Sequence, residues 1–182
     1  MSNQLLHKMV VATGIVAAVF CSAALGQQKQ PINISGEGVK SRWVQQHIID
    51  VDDVPGHQIR NYEIQRTYPA ESQPVVDGEH VVEVWTRGFS NYTNGIGPAW
   101  SYTTWTTEKG NKIFIESIGT SETRATETGS KRGTYQGTSR LISGTGRFAK
   151  LRGLLVDMAK FDTDPKGGYN VLESHGEYWF EQ

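Results

Sequence analysis

The chain has 182 residues, with 18 Lys+Arg against 19 Asp+Glu and a single Cys, a length that suits one domain with its own core. At 37% hydrophobic and 20% charged its composition is globular rather than disordered. A formal net charge of -1 excludes the basic footprint of a nucleic-acid binder or of a protein drawn to anionic membranes.

The N-terminus reads as an export signal. Lys8 supplies a positive charge, Met9 to Phe20 is an apolar run, and Ala24 and Gly26 are the small residues a signal peptidase needs. A signal peptide over 1–26, cleaved between Gly26 and Gln27, is therefore expected, and with it a periplasmic or secreted location. The run falls short of the roughly 20 residues that span a bilayer, so no stable membrane anchor is expected. A lipid anchor on Cys21 is disfavoured by Phe20, which stands where a small residue is required. Cleavage removes Lys8 and Cys21 and leaves 17 basic against 19 acidic side chains. A chain without cysteine has no disulfide, thiolate metal site or cysteine nucleophile. Residues 27–36 read as a flexible leader and 37–182 as a single domain.

From there the pattern is strand after strand. Runs rich in Val, Ile, Thr, Tyr and Trp are separated by Gly, Pro, Asn and Asp clusters, with almost no helical period. Strands are predicted over 39–51, 58–68, 81–89, 100–107, 112–121, 133–142, 154–161 and 169–180. The turn Glu108-Lys109-Gly110-Asn111 makes the fourth and fifth a hairpin. Residues 147–152 read as one helical turn that buries Phe148 and Leu151. Eight mostly antiparallel strands in about 150 residues predict a small closed barrel, whose closure removes the edges that invite aggregation. A β-sandwich is the alternative.

The segment Ser143-Gly144-Thr145-Gly146-Arg147-Phe148-Ala149-Lys150-Leu151-Arg152-Gly153 resembles the GGTGxFxxxxG corner of the allene oxide cyclase and dirigent-like barrels and of exported bacterial relatives. The 105–114 hairpin and the closing Gly176-Glu177-Tyr178-Trp179-Phe180 fit the same group, over roughly 80–182. The resemblance implies an eight-stranded, calycin-like barrel with an apolar central cavity, often a homo-oligomer. Some members are cyclases, and others steer radical coupling. The family's active-site pattern has no counterpart on this chain, so no site residue carries over.

Catalytic and nucleotide motifs are absent: there is no GxxxxGK[ST], HExxH or GxSxG. The stretch from Asp162 to Glu173 carries Asp, Asp, Gly, Asn and Glu at most calcium-loop positions. Lys166 stands at a ligand position, however, and no helix flanks the segment, so it reads as a turn. The cluster Asp50, Asp52 and Asp53 reads as a solvated loop. His47, His57, His80 and His175 are not spaced as metal ligands, and His57 and His80 lie beside turns. No metal or cofactor is expected.

Candidate site residues depend on which strand face points inward. Glu83, Trp85 and Arg87 share one face of the third strand, opposite Val82, Val84 and Thr86. If the first face is interior, the cavity holds a charged pair beside an aromatic wall; if not, the pair is an exposed one of little energetic weight. His175 shares a face with Glu173 and offers an acid–base pair if interior. The alternative turns Leu172, Tyr178 and Phe180 inward. The weak catalytic candidates are thus Glu83, Arg87 and His175; Glu116 and Arg140 complete the polar set. Trp85, Trp100, Tyr102 and Tyr135 are the candidate ligand-binding wall for a small hydrophobic or aromatic molecule. The leading expectation is an exported small-molecule-binding barrel. A cofactor-free cyclase or isomerase and a packed structural or protein-interaction module are the alternatives.

Overall fold

The structure is a computed structural model that describes residues 27–36, 39–125, 131–162 and 170–182. Residues 1–26, where the signal peptide is expected, and residues 163–169 of the calcium-like stretch lie outside the described residues. Ten strands form the fold: β1 (Gln30–Ser35), β2 (Lys40–Asp50), β3 (His57–Thr67), β4 (Val75–Val76), β5 (Glu79–Thr93), β6 (Ile96–Thr107), β7 (Lys112–Ala125), β8 (Lys131–Gly144), β9 (Leu151–Asp162) and β10 (Asn170–Phe180). Every pairing is antiparallel, in the order β1-β10-β9-β8-β7-β6-β5-β3-β2, with β4 added against the start of β5.

The eight expected strands correspond to the eight long ones, β2, β3 and β5–β10. Two differences stand out. Residues 30–35 are not a flexible leader: they form β1 on β10, from Gln30 opposite Tyr178 to Ser35 opposite Glu173. Ile32 and Ile34, alternating on one face, are buried there. The ladder is also not closed into a barrel. Among the described residues β1 and β2 are its two free ends, each bonded on one side only. The sheet nonetheless curls strongly, because Ser41 and Trp43 near one end and Leu172 and Ser174 near the other line the same cavity.

Local chemistry accounts for the long hairpins. Asn94-Gly95 adopts positive φ at both residues (53° and 81°), the two-residue turn whose twist suits adjoining strands. It joins β5 to β6 directly, with Thr93 opposite Ile96. Asp77-Gly78 does the same between β4 and β5. Two bulges then reverse which residues face inward. The register shifts between Val81 and Glu83, so Glu79 and Val81 point inward before the shift, and Val84, Thr86, Ser90 and Tyr92 after it. A second shift between Trp43 and Gln45 puts Ser41 and Trp43, then Gln46 and Ile48, on the cavity side.

One end of the curl is plugged. Phe148 and Leu151 are fully buried, as the glycine corner led us to expect, among Val76, Val81, Trp105, Ile113 and Tyr178. The corner runs through a 3-10 turn, Gly146–Phe148. Gly144 leaves room for it: a Cβ there would lie 2.6 Å from the Phe148 Cβ. Glu79, only 1% exposed, ties the end together. It accepts hydrogen bonds from Thr107 Oγ1 (2.7 Å) and Asn111 Nδ2 (3.1 Å) and pairs with Arg147 (3.5 Å) and Lys109 (3.7 Å). Arg147 also pairs with Asp77. The thread from β5 to the glycine corner is thus ionic as well as apolar.

Candidate functional site

Beyond the plug the sheet encloses a cavity of ≈ 730 Å³, lined by one face of β2, β3 and β5–β10. That volume lies within the range of small-molecule sites, so the interior is not solidly packed. Val84, Trp105, Ile115 and Leu155 form an apolar floor above the plug. The opposite end is rimmed by the β2–β3 loop at Gly56 and the β5–β6 turn at Asn94 and Gly95.

The walls between floor and rim are rich in hydroxyls. Seven serines line the cavity, together with Tyr62, Tyr92 and Tyr135. Ser117 Oγ bonds Ser139 Oγ (2.6 Å), and Ser139 donates to Asp157. The second Asp157 oxygen accepts from Ser174 Oγ at 2.6 Å. Burial of Asp157 lifts its carboxyl above the ordinary carboxylate range, although both serines act in the opposite direction. Burial, reinforced by the neighbouring Tyr92, likewise pushes the Tyr62 phenol up to about 12. Tyr135 is raised by burial and by Asp157.

The space exists because large rings lie flat on glycines. Tyr62 faces Gly88 across β3 and β5, and a Cβ on Gly88 would sit 2.2 Å from the Tyr62 ring. Tyr135 lies in the same manner over Gly137, and Phe161 over Gly133. With only hydrogen beneath them, these rings fold onto the wall instead of filling the centre.

Few of the residues singled out from sequence meet here. Tyr135 lines the cavity, whereas Trp85, Trp100 and Tyr102 do not. Trp85 lies under the Arg87 guanidinium (5.6 Å to the ring centroid), and Tyr102 stacks on Phe114 (6.1 Å). Trp100 is 45% exposed, in an outer row with Phe89, Ile118 and Val156. Glu83, Arg87 and His175 are outside as well. Glu83 accepts from Gln65 Nε2 (2.7 Å), Arg87 pairs with Glu63 (2.7 Å), and His175 bonds Asn33 on β1 (3.0 Å). Glu116 and Arg140 pair with each other at 2.6 Å. The polar residues that do line the cavity include Arg60, Arg66, Ser90 and Asp157. Their signal was the alternation Val84-x-Thr86 and Leu155-x-Asp157, which reads as an aliphatic face until the curl is known.

The acidic cluster near the rim is organised by His57. Its Nδ1 lies 2.5 Å from Asp53 Oδ1 and its Nε2 2.6 Å from Asn91 Oδ1, and its side chain is only 16% exposed. His57 is therefore tucked in rather than free in solvent. Two acceptors favour the doubly protonated ring, so its pKa is raised, first by Asp53 and then by Asn91; Asp53 is lowered by the same bond. A raised histidine pKa contributes stability that is complete below the unfolded value near 6.5 and is lost as pH rises through the folded value. On the acid side the contribution of Asp53 disappears as pH falls through its depressed pKa. In an NMR titration we expect His57 to titrate above an ordinary histidine, with amide exchange at Val54, His57 and Asn94 accelerating as it deprotonates. A His57 that titrates normally, with unchanged exchange, contradicts this account.

Among the described residues no group of three or more His, Cys, Asp or Glu is placed to hold a metal ion, and no helix is long and apolar enough to cross a membrane. No family model matches the chain, and no curated protein matches it.

Proposed function

We propose that this protein is an exported carrier or receptor that binds one small amphipathic molecule inside its curled sheet. The observation that carries the reading is the ≈ 730 Å³ cavity whose wall contains enclosed polar atoms with no protein partner: Ser41 Oγ, Arg60 Nε and Ser90 Oγ. Leaving buried polar groups unpaired costs about 1–3 kcal/mol each, and a ligand or its accompanying water relieves that cost. A packed structural module has no use for such an interior. The wall mixes hydroxyls with apolar surface, so the ligand we favour is amphipathic rather than purely hydrophobic or aromatic. We read the eight long strands as a barrel of the allene oxide cyclase and dirigent-like kind, left open at one seam. Self-association is part of the proposal, and the outer row through Trp100 and Ile118 offers it an apolar surface.

The test is native mass spectrometry on the protein recovered from the exported fraction of cells expressing the full chain. We expect a mature form beginning at Gln27, carrying a stoichiometric small molecule released on denaturation. A clean apo mass that does not shift on exposure to an apolar metabolite extract would overturn the reading. The same spectrum counts subunits.

Asp157 favours a second reading, a cofactor-free isomerase or cyclase. A buried carboxyl with a raised pKa, facing a cavity and held by two serines, has the properties of a general acid. That reading requires Asp157→Asn to retain the bound molecule and lose its conversion.

A further inference from the structure

We infer that the ligand of this cavity is an organic anion and that Arg66 holds its charged group. The inference rests on the small-molecule reading above and gives that molecule its chemistry. Arg66 projects from β3 into the cavity, where it donates one hydrogen bond, from Nη1 to Thr86 Oγ1 at 2.8 Å. No carboxylate pairs with it among the described residues. The contrast with the outer surface is sharp: Arg87, Arg140, Arg147 and Arg152 each face an acid there. Of the two arginines on the cavity wall, Arg60 bonds Gln58 and lies over the Tyr92 ring whereas Arg66 bonds Thr86 alone, and neither has an acid partner among the described residues.

That arrangement is costly without an occupant. A guanidinium stays protonated in proteins, although burial lowers the pKa of Arg66. An enclosed, uncompensated charge costs several kcal/mol. Asp157, the only acid on the cavity wall among the described residues, is five strand pairings away around the ladder and is occupied by Ser139 and Ser174.

The groups around Arg66 have the same bias. Ser41 lies directly across the β2–β3 pairing from it, and its Oγ has no partner. The Tyr68 hydroxyl, on a residue 6% exposed, is likewise unpartnered and within electrostatic reach of Arg66. Only Ser41 of these two lines the cavity; a cation with that free hydroxyl beside it is a set of donors awaiting acceptors, the requirement that a carboxylate, sulfonate or phosphate oxygen meets. Val84 and Trp105 continue the same inner row, so apolar surface flanks the anion site at this height. The anion enters first and sits at the floor.

Two dyes of one shape separate this inference from the reading beneath it: anilinonaphthalene sulfonate, an anion, and N-phenylnaphthylamine, its neutral counterpart. Fluorescence titration of the wild-type protein should give one site for each, with the sulfonate at least about tenfold tighter, the size of a single charge-assisted hydrogen bond. Arg66→Met should bring the sulfonate down to the affinity of the neutral dye and leave the neutral dye unchanged; Arg66→Lys should keep part of the preference. Equal affinity in the wild type overturns the anion while leaving the cavity reading intact. A preference that survives Arg66→Met overturns the role of Arg66. Binding of neither dye refutes the cavity reading as well. The wild-type comparison is decisive for the anion even where a variant fails to fold.

Discussion

Phe148→Ala is expected to destabilise the protein by about 3–5 kcal/mol, the cost of emptying a large aromatic site in a packed interior. The side chain is fully buried, and its ring stacks on Phe180 with centroids 6.4 Å apart. The site has little freedom to collapse, because β7, β8 and the Gly146–Phe148 turn meet there, and Thr145 is bonded to β7 through its backbone and hydroxyl (Thr145 N to Lys112 O, 2.8 Å; Lys112 N to Thr145 Oγ1, 2.8 Å). For a chain of this length, roughly 2–4 °C of melting temperature per kcal/mol gives a drop of about 6–20 °C. Thermal unfolding followed by circular dichroism measures it. A loss under about 1 kcal/mol would mean that the corner is not the plug.

Gly88→Ala should act on the cavity and spare the fold. The three atoms nearest the added Cβ all belong to the end of the Tyr62 side chain, at 2.2–2.6 Å, and that side chain can turn where backbone cannot. Tyr62 lines the cavity, so a ring lifted off Gly88 takes up part of that space. Affinity for N-phenylnaphthylamine should fall by about tenfold or more, about 1.4 kcal/mol, while the unfolding midpoint moves by less than about 1 kcal/mol. Gly119 offers no such clean experiment, because a Cβ there would strike the Gln136 carbonyl at 2.2 Å. An unchanged affinity in a folded Gly88→Ala protein would show that the ring does not set the free volume.

The strands were legible because β-branched and aromatic runs are cut by turn residues, and the long strands stand close to where that pattern puts them. The hairpin at Asn94-Gly95 went unread: strands placed at 81–89 and 100–107 stop short of the turn at which β5 and β6 meet. Strand faces were harder. A simple alternation along Val81–Phe89 groups Val81 with Glu83, Trp85 and Arg87, yet the bulge after Val81 places Val81 with Val84 and Thr86 instead. One inserted residue therefore moves the charged face outside. The site was hidden for a related reason. Asp157 is a polar residue in an otherwise apolar alternation, Arg66 shares its face of β3 with Gln58 and Arg60, and the lack of an acid beside Arg66 emerges only once its neighbours are known. The contact between Glu79 and Arg147 spans 68 positions and leaves no local mark. The Ile32-x-Ile34 alternation that builds β1 was visible, but it is too short to be distinguished from a leader.

The two free strands bear on how the interior is sized. In a closed barrel the number of strands and their stagger dictate the radius, and residues lining the lumen inherit whatever room that geometry leaves. Here, among the described residues, the circumference is not pinned by a last row of hydrogen bonds, since β1 and β2 end the ladder. Calibre is then a matter of side chains: rings lowered onto glycines widen the bore, and a single methyl beneath one of them narrows it. Relatives of this chain could thus be tuned to guests of different girth by exchanging a residue or two along the inner glycine rows, with no strand gained, lost or re-registered.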